Sequence, residues 1–435
     1  MLKIEGMIGV YRILFLPGLL VGLPWYAWRM WRRGGYREGF ENRFGLMRNV
    51  PPKQNHVKRI WIQAVSVGEL MAIEPLLGKL AENPAVEVVL TTTTSTGLRV
   101  LRERLAPLTA WNGIFPLDFW PFSRRAWNRL QPDLAVLMEG ELWPEHIHQG
   151  RRRGVPVLLV NARLSDRSYR RHVAVKGLVR GGFSTLDSIL AGSESDAKRF
   201  RDLGWIDTAK IIHTGNLKLD VASEEAVSAD ERREMHREFG FEGEDILLLL
   251  GSSTWPGEEA VLIEAWRDLR GDFPGLRLVL VPRHAERRKE LESLVQSYAL
   301  RAHFRSTGRP APPGTEVYIA DTTGELRMLT RFADLVYIGK SLPPNSGGQT
   351  PVEAAALGKP MIFGPDMSNF RDIARRLVRE QAALRIQSAG SLAPTLRRFL
   401  ENEAFRRETG QRAEAFIRAN QGATERTLSE ILKRL

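Results

Sequence analysis

Apolar runs of strand length alternate with helix-like stretches from residue 59 onward, and this alternation occurs in both halves of the chain. In the first half the runs cover residues 60–65, 86–90, 134–138, 155–160 and 189–191. In the second half they cover residues 246–250, 276–281, 316–319, 335–338 and 360–363. Strands alternating with helices are typical of parallel sheets covered on both faces. The pattern therefore predicts two doubly wound α/β domains with a boundary near Val221.

A strand, a turn of small residues and a helix follow one another at residues 61–80. Glu69 lies just after the predicted strand, and ligands bind at this end of the strands in open parallel sheets. Two interpretations stay open. Glu69 takes a proton from a hydroxyl nucleophile, or it is an ordinary first-turn carboxylate stabilised by the helix dipole. Ser66 and Gly68, in the same turn, are candidates for binding the acceptor, that is, the molecule that carries this hydroxyl.

Polar residues follow later strands of the first half in the same way. Glu139 and Glu141 come directly after residues 134–138, where paired carboxylates can orient a sugar acceptor or stabilise positive charge; ordinary helix-start acids are the alternative. Arg163, with Glu141 a further candidate for binding the acceptor, lies in a polar loop whose arginines suit a phosphorylated ligand, although a solvated loop fits equally well. Lys218 either reaches an acidic donor or is one more of the 63 basic side chains.

Loops rich in glycine and hydroxyl residues follow the strands of the second half, at residues 251–259, 321–326, 346–353 and 364–370. Such loops can hold a phosphate through backbone N–H groups, and glycines let the backbone approach a ligand closely. Arg283, after another strand, can pair with a phosphate. Glu353 is placed to accept hydrogen bonds from ribose hydroxyls. The set predicts one nucleotide cleft.

The first apolar run, residues 13–28, carries no charge, ends in aromatic residues and is followed by arginines. A membrane anchor, spanning or interfacial, is favoured over a buried core helix. A cleaved signal peptide is disfavoured because no small-x-small site follows the run. Basic residues after an apolar run place the body of a protein on the cytoplasmic side.

The net charge of +12 favours an anionic partner: nucleic acid, anionic lipid or a phosphorylated substrate. Nucleic acid is disfavoured because the arginines are spread through helices rather than forming a stripe with interleaved aromatics. The chain has no cysteine, which excludes disulfides and Cys-based sites. No His-Glu-x-x-His run supports a zinc site.

Several of these motifs together resemble the 3-deoxy-D-manno-octulosonic acid (Kdo) transferases of lipopolysaccharide synthesis. The resemblance implies an α/β protein of the GT-B glycosyltransferase type, with two Rossmann-like domains facing an interdomain cleft and an N-terminal membrane-anchoring helix. It implies an anchor and basic collar at residues 1–45, an acceptor domain at 46–220 and a nucleotide-sugar donor domain at 221–435. The motifs that carry it are residues 37–45, 66–69, 139–144, 161–168, 217–220, 282–284, 324–326, 347–353 and 364–370.

The resemblance also implies an activity. It is the inverting transfer of Kdo from CMP-Kdo to the 6′-hydroxyl of a lipid A precursor (lipid IVA), at the cytoplasmic face of the inner membrane and its anionic surface, without a cofactor or bound metal. Glu69 matches the proton acceptor of the family, and Glu139 and Lys218 match positions that stabilise the transition state. The positions matching CMP contacts are Pro282, Arg283, Thr323, Gly324, Glu325, Thr350, Pro351, Val352 and Glu353.

The chain departs from the family pattern mainly on the donor side. Gln349 and Thr350 stand where the family usually has His-Asn, Asp366 stands where it has a histidine, and Trp255 replaces another histidine. The contacts to ribose and phosphate are therefore expected to differ in detail. An alternative is another GT-B enzyme at the membrane, either a UDP-sugar transferase or a sugar-nucleotide epimerase.

Overall fold

The computed structural model describes residues 2–33, 38–174, 184–220, 227–243 and 245–435. The chain divides into two compact units: Met1–Asp220 together with Asn420–Leu435, and Val221–Ala419. The segment Asn420–Leu435 thus belongs to the first unit, whereas the predicted second domain, residues 221–435, included it. Arg37, where the family motifs begin, and the predicted boundary at Val221 lie outside the described residues.

The first unit contains a parallel sheet of seven strands in the order β3-β2-β1-β4-β5-β6-β7. Side chains of β1 alternate between two apolar clusters: Ile60 and Ile62 face one, and Trp61 faces the other. Both faces of the sheet are therefore buried, as expected for parallel sheets. The strands are Lys58–Gln63 (β1), Val86–Thr92 (β2), Trp111–Ile114 (β3), Leu134–Met138 (β4), Val157–Ala162 (β5), Ser188–Ala191 (β6) and Ile211–His213 (β7).

The second unit contains another seven-stranded parallel sheet, in the order β10-β11-β9-β8-β12-β13-β14. The two sheets confirm the prediction of two doubly wound domains. The strands are Leu247–Thr254 (β8), Leu276–Pro282 (β9), Ala302–Phe304 (β10), Val317–Ile319 (β11), Leu335–Ile338 (β12), Met361–Phe363 (β13) and Leu384–Arg385 (β14).

Helices connect the strands of both units and cover the two sheets. In the first unit they are Val67–Ala81, Ser95–Val100, Trp120–Leu130, Pro144–Arg153, Asp166–Ala174, Glu194–Leu203 and Ala423–Leu432. In the second unit they are Ala229–Glu238, Glu258–Leu269, Arg288–Ser297, Leu326–Phe332, Val352–Ala356, Arg371–Arg379 and Leu392–Glu401, and Glu403–Asn420 leads back to the first.

The last helix, Ala423–Leu432, is held on the first unit by Asp220. The Asp220 carboxylate accepts hydrogen bonds from the backbone N–H groups of Gly422 at 2.8 Å and Ala423 at 3.3 Å, and also from that of Thr424. Free N–H groups at a helix start favour such a negative charge. Asp220 therefore fixes the end of the chain beside the segment that carries Lys218.

The N-terminal apolar run is part of one long helix, Leu2–Arg33. Its window Ile8–Trp25 is long and apolar enough, by length and composition alone, to cross a membrane. One face contacts the first unit: Arg12 makes a two-bond ion pair with the fully buried Glu145, at 2.8 Å for each bond, and Tyr11 donates to Asp118 at 2.7 Å. Apolar side chains on the other face are exposed on the protein surface, with Val21 84% exposed.

Candidate active site

The first sheet has a switch point between β1 and β4. The chain runs from β1 to β2 on one side and from β4 to β5 on the other, so the connections leave in opposite directions. Ligands bind at such a point, at the carboxyl ends of the strands. Glu69 follows β1 and Glu139 follows β4, so the two glutamates flank this first switch point.

Glu69 is fixed by the start of the helix Val67–Ala81. Ser66 is the N-cap, and its hydroxyl oxygen accepts from the Glu69 backbone N–H at 3.4 Å. The Glu69 carboxylate accepts from the Val65 backbone N–H at 2.9 Å and from the Ser66 hydroxyl at 3.1 Å. The side chain is 7% exposed. Glu69 is therefore a first-turn carboxylate, as one interpretation held, but a buried one.

Burial raises the pKa of Glu69 to about 7. The Val65 N–H and the Ser66 hydroxyl oppose this shift because they stabilise the charged form, whereas the charges of Glu139 and Glu141 add to it. A general base works best when its pKa lies near the working pH. The local structure thus gives Glu69 the property that proton abstraction from a hydroxyl requires.

Glu139 forms an ion pair with Lys218, with 2.5 Å between its Oε1 and the lysine Nζ. Each side chain keeps about a fifth of its surface exposed, at 19% and 20%, so the pair faces solvent at one end. Lys218 is placed by a short turn, in which the Asn216 side chain accepts from the Lys218 backbone N–H at 3.0 Å. The pair combines a fixed negative charge with a cation that orients it.

Asn161 links Glu139 to the backbone next to Lys218, and it was not among the predicted site residues. Its side-chain N–H donates to Glu139 Oε1 at 3.4 Å, and its carbonyl oxygen accepts from the Leu217 backbone N–H at 3.1 Å. It is fully buried. Asn161 and Glu139 both have left-handed backbone conformations, with φ of 51° and 53°. Asparagine tolerates this conformation better than most residues, which is a weak sequence signal for such a position.

The predicted acceptor-binding residues lie around the same switch point. Ser66 and Gly68 flank the helix start, and a Cβ added at Gly68 would have only the Ser66 hydroxyl nearby, at 3.9 Å. Burial, and then the charge of Glu139, raise the pKa of the half-buried Glu141. Arg163 donates its backbone N–H to the Glu139 carbonyl at 3.2 Å. The first unit therefore brings all of these candidates together.

The second sheet has its switch point between β8 and β12, since β8 connects to β9 on one side and β12 to β13 on the other. Pro282 ends β9 opposite Thr254, which ends β8. Arg283 donates its backbone N–H to the Thr254 carbonyl at 3.0 Å, while its side chain is exposed. The guanidinium is thus at the carboxyl edge of the sheet and accessible to an anion.

Glu325 is held by Arg305, another residue that the sequence analysis did not identify. The Arg305 Nε donates to both carboxylate oxygens at 2.8 Å, and the Thr322 hydroxyl also donates to Glu325. Arg305 is the main cause of a lowered pKa at Glu325. The Glu325 carboxylate is therefore already hydrogen-bonded within the protein rather than directed at a ligand. Thr323 and Gly324 lie in the same turn, and the φ of 91° at Gly324 suits glycine.

The last donor candidates follow a loop with two positive-φ glycines, Gly347 and Gly348. A Cβ at Gly348 would lie 2.3 Å from the Met367 sulfur, so a larger residue would displace the neighbouring loop. Thr350 accepts from the Val352 backbone N–H at 3.3 Å, one residue beyond Pro351. Glu353 follows in the first turn of the helix Val352–Ala356.

Comparison with known proteins agrees with this architecture. The model of the family described as 3-deoxy-D-manno-octulosonic-acid transferase matches residues 38–221, and that of glycosyl transferases group 1 matches residues 231–416. A solved UDP-GlcNAc 2-epimerase from Neisseria meningitidis shares the fold, with a TM-score of 0.58 at 14% identity over 86% of this chain and 100% of its own. The protein is thus a glycosyltransferase with the GT-B fold.

Two curated relatives define its family more closely. The 3-deoxy-D-manno-octulosonic acid transferase of Bordetella pertussis is 36% identical over 97% of this chain and 98% of its own length. That of Haemophilus influenzae is 32% identical, covering 92% of this chain and 91% of its own. The chain belongs to the Kdo transferase family, as the sequence motifs indicated.

Proposed function

We propose that this Kdo transferase moves Kdo from CMP-Kdo to the 6′-hydroxyl of a lipid A precursor, with inversion at the anomeric carbon. Kdo transfer belongs to the synthesis of the lipopolysaccharide core. One observation carries the mechanism: Glu69 is a buried carboxyl with its pKa raised to about 7, placed at the first switch point with Glu139. This is the arrangement that a base needs to activate an alcohol.

In the proposed reaction the Glu69 carboxylate takes the proton of the acceptor hydroxyl as its oxygen attacks the anomeric carbon of Kdo. The bond from that carbon to the CMP phosphate breaks, and its electron pair leaves with the phosphate. Positive charge builds up on the sugar during this step. Glu139 carries the negative charge that stabilises it, and Lys218 holds Glu139 in place at 2.5 Å.

The second unit supplies the donor site in this proposal. Arg283 presents an exposed guanidinium at the carboxyl edge of the sheet, where it can pair with the phosphate of CMP. Gly324 and the Thr350 to Glu353 segment contact the ribose and base in this proposal, with the Glu353 carboxylate accepting from ribose hydroxyls. Glu325 contributes through the loop it stabilises, because its carboxylate is already bound by Arg305.

The helix Leu2–Arg33 places the enzyme at its lipid substrate in this proposal. Tyr11 and Arg12 attach one face of the helix to the first unit, and the exposed apolar side chains face the lipid. The arginines that follow the apolar run favour the cytoplasmic side of the inner membrane, and the net charge of +12 suits its anionic surface.

A direct test is to incubate the purified full-length protein with CMP-Kdo and a tetraacylated lipid A precursor, and to measure the lipid by mass spectrometry. The expected product carries added Kdo, and CMP is released in proportion. Parallel reactions with UDP-sugars serve as donor controls. Turnover with UDP-sugars alone, with no Kdo on the lipid, would contradict the proposal.

A further inference from the structure

Lys340 occupies the second switch point, directly after β12 and Gly339. Its backbone has a φ of 60° and is held from two directions. Its N–H donates to the Glu258 carboxylate at 2.7 Å, and its carbonyl accepts from the Gly348 backbone N–H at 2.9 Å. The base of the side chain is therefore fixed between the helix start after β8 and the glycine-rich loop.

The ammonium group of Lys340 lies 4.5 Å from the ring centroid of Trp255, the residue that follows β8 on the other side of the switch point. His284 packs against the same indole in an edge-to-face arrangement, with centroids 5.3 Å apart. A cation over an indole face is held by the charge distribution of the ring. Trp255, just after β8, thus fixes the position of the charge carried by Lys340, which follows the neighbouring strand β12.

This charge is not neutralised within the part of the chain that the structure describes, since no carboxylate there lies within ion-pair distance of the Lys340 Nζ. The side chain is half-buried. The indole N–H of Trp255 is buried without a hydrogen-bond partner in the same described part, a cost that phenylalanine would avoid. A partly desolvated cation at the point where α/β sheets bind ligands favours an anion beside it.

We propose that Lys340, oriented by Trp255, binds the phosphate of the nucleotide-sugar donor. This role rests on the proposed function and adds a phosphate-binding residue that the sequence motifs did not include. As the bond to Kdo breaks, the phosphate oxygen gains the electron pair and a second negative charge. A fixed ammonium stabilises that charge more in the transition state than in the bound donor. Lys340 is therefore expected to affect turnover as well as donor binding.

The test compares CMP binding by calorimetry for the wild-type protein, Lys340→Gln and the matched control Lys289→Gln. Lys289 is an exposed lysine of the same unit, on the helix Arg288–Ser297, so its loss changes the net charge equally. We expect Lys340→Gln to weaken CMP binding about tenfold, as loss of a charge-assisted bond implies, with a lower kcat. Lys289→Gln should bind CMP as the wild type does.

Cytidine, tested as a competitor of transfer, separates phosphate recognition from a general effect. Its inhibition constant should be unchanged in Lys340→Gln because it lacks the phosphate. Trp255→Leu should reproduce the loss, Trp255→Phe should largely avoid it, and Trp255→Leu combined with Lys340→Gln should add little. Equal thermal midpoints for Lys340→Gln and the wild type are expected, since the backbone bonds of residue 340 remain.

Unchanged CMP binding in Lys340→Gln would overturn the inference while leaving Kdo transfer intact. A raised KM for CMP-Kdo with unchanged CMP binding would also overturn it, since the anion bound by Lys340 would then be the sugar carboxylate. If the wild-type protein itself failed to bind CMP, that result would contradict the proposal that CMP-Kdo is the donor, and the proposed role of Lys340 would be rejected as well.

Discussion

The two switch points each place a buried glutamate on the first helical turn after the central strand, yet the two side chains have different environments. Glu69, after β1, accepts one backbone N–H and one hydroxyl. Glu258, after β8, is 1% exposed and accepts four backbone N–H groups and the Tyr337 hydroxyl. Two carboxylate oxygens offer about four acceptor positions. Donors within the protein therefore occupy all the acceptor positions of the Glu258 carboxylate, whereas the Glu69 carboxylate can still accept a hydrogen bond from a substrate.

The same comparison extends to charge. Carboxylates surround the first switch point: Glu69, Glu139 and Glu141. Cations flank the second, where Arg283 and Lys340 follow β9 and β12. The reaction builds positive charge on the sugar and negative charge on the leaving phosphate, so each edge has the sign that stabilises one of them. In the proposed reaction, equivalent positions in the two sheets therefore stabilise charges of opposite sign, one on the sugar and one on the phosphate.

The largest expected effect is the loss of Kdo transfer when Glu69, at the first switch point, is replaced by glutamine. Glu69→Gln keeps the size and polarity of the side chain and removes only its ability to take a proton. Loss of a positioned general base costs about a hundredfold to ten-thousandfold, so we expect Kdo transfer to fall by about a thousandfold. CMP binding should be unchanged, because the donor candidates lie in the second unit. Product formation by mass spectrometry and CMP calorimetry measure the two quantities.

Glu74→Gln is the matched control for this variant, since Glu74 lies on the same helix and pairs with Arg104 at its surface. It should transfer Kdo at the wild-type rate. Transfer by Glu69→Gln within tenfold of the wild type would remove the basis for the comparison, because Glu69 would then be structural like Glu258.

Glu258 should behave in the opposite way. Glu258→Ala leaves four backbone N–H groups without their acceptor, at Trp255, Lys340, Ser341 and Leu342. Unsatisfied buried donors cost about 1–3 kcal/mol each, and partial rehydration reduces the sum, so we expect a loss of about 3 kcal/mol or more in the free energy of unfolding. Urea denaturation measures it. Glu403→Gln, an exposed first-turn glutamate, should leave stability unchanged, and equal stability of Glu258→Ala would show that its hydrogen bonds matter little.

The ion pair beside Glu69 should give an intermediate effect. Lys218→Gln leaves Glu139 without the cation at 2.5 Å, and Glu139→Gln removes the charge itself. Since a charge-assisted bond contributes about 1.5–3 kcal/mol, each variant should lower kcat roughly tenfold to hundredfold. Residues that act as a unit are not additive, so the double variant should be little worse than Glu139→Gln. Fully additive losses would mean that Lys218 acts separately from Glu139.

Much of the fold follows from the pattern of apolar residues, and the strands that the pattern missed share one property. Each of the ten predicted strands corresponds to an observed strand. The remaining strands, β3, β7, β10 and β14, are the edge strands of the two sheets. Each of these four strands has only two to four residues and includes a polar one, so its sequence lacks a continuous apolar run. The interior strands of each sheet could therefore be predicted from the sequence, whereas the edge strands could not.

The site was predictable in part for a similar reason. Glu69, Glu139 and Lys218 could be named as candidates because strand ends and family motifs mark them, and the structure places them at one switch point. Asn161 begins the motif 161–168 but was not predicted as a site residue, because its partners Glu139 and Leu217 become neighbours only through the sheet order. Nor does sequence distinguish Glu69 from Glu258, since both are first-turn acids after a central strand. The number of donors around each carboxylate is a property of the folded loops.

The pH dependence of transfer gives the mildest test of the comparison. With the pKa of Glu69 raised to about 7, the fraction of ionised base falls about tenfold for each pH unit below that value. We expect kcat/KM of the wild type to follow this limb between about pH 5 and 7, and the residual activity of Glu69→Gln to lack it. An acidic limb that persists in Glu69→Gln would assign the titration to another group.

The same shift has a small consequence for stability, and its sign differs from that of an ordinary paired carboxylate. The folded protein keeps the proton of Glu69 up to a pKa of about 7, whereas the unfolded chain loses it near the ordinary glutamate pKa of about 4.5. Folding therefore binds protons in this window, and stability falls as the pH rises through it, by at most about 1.4 kcal/mol per unit. Relative to Glu69→Gln, the wild type should lose unfolding free energy between pH 5 and pH 7 and show no further relative change above pH 8. Urea denaturation of both proteins across this range measures the difference. A constant difference would mean that position 69 titrates alike in the folded and unfolded chains, and burial at the first switch point would then not have prepared Glu69 as a base.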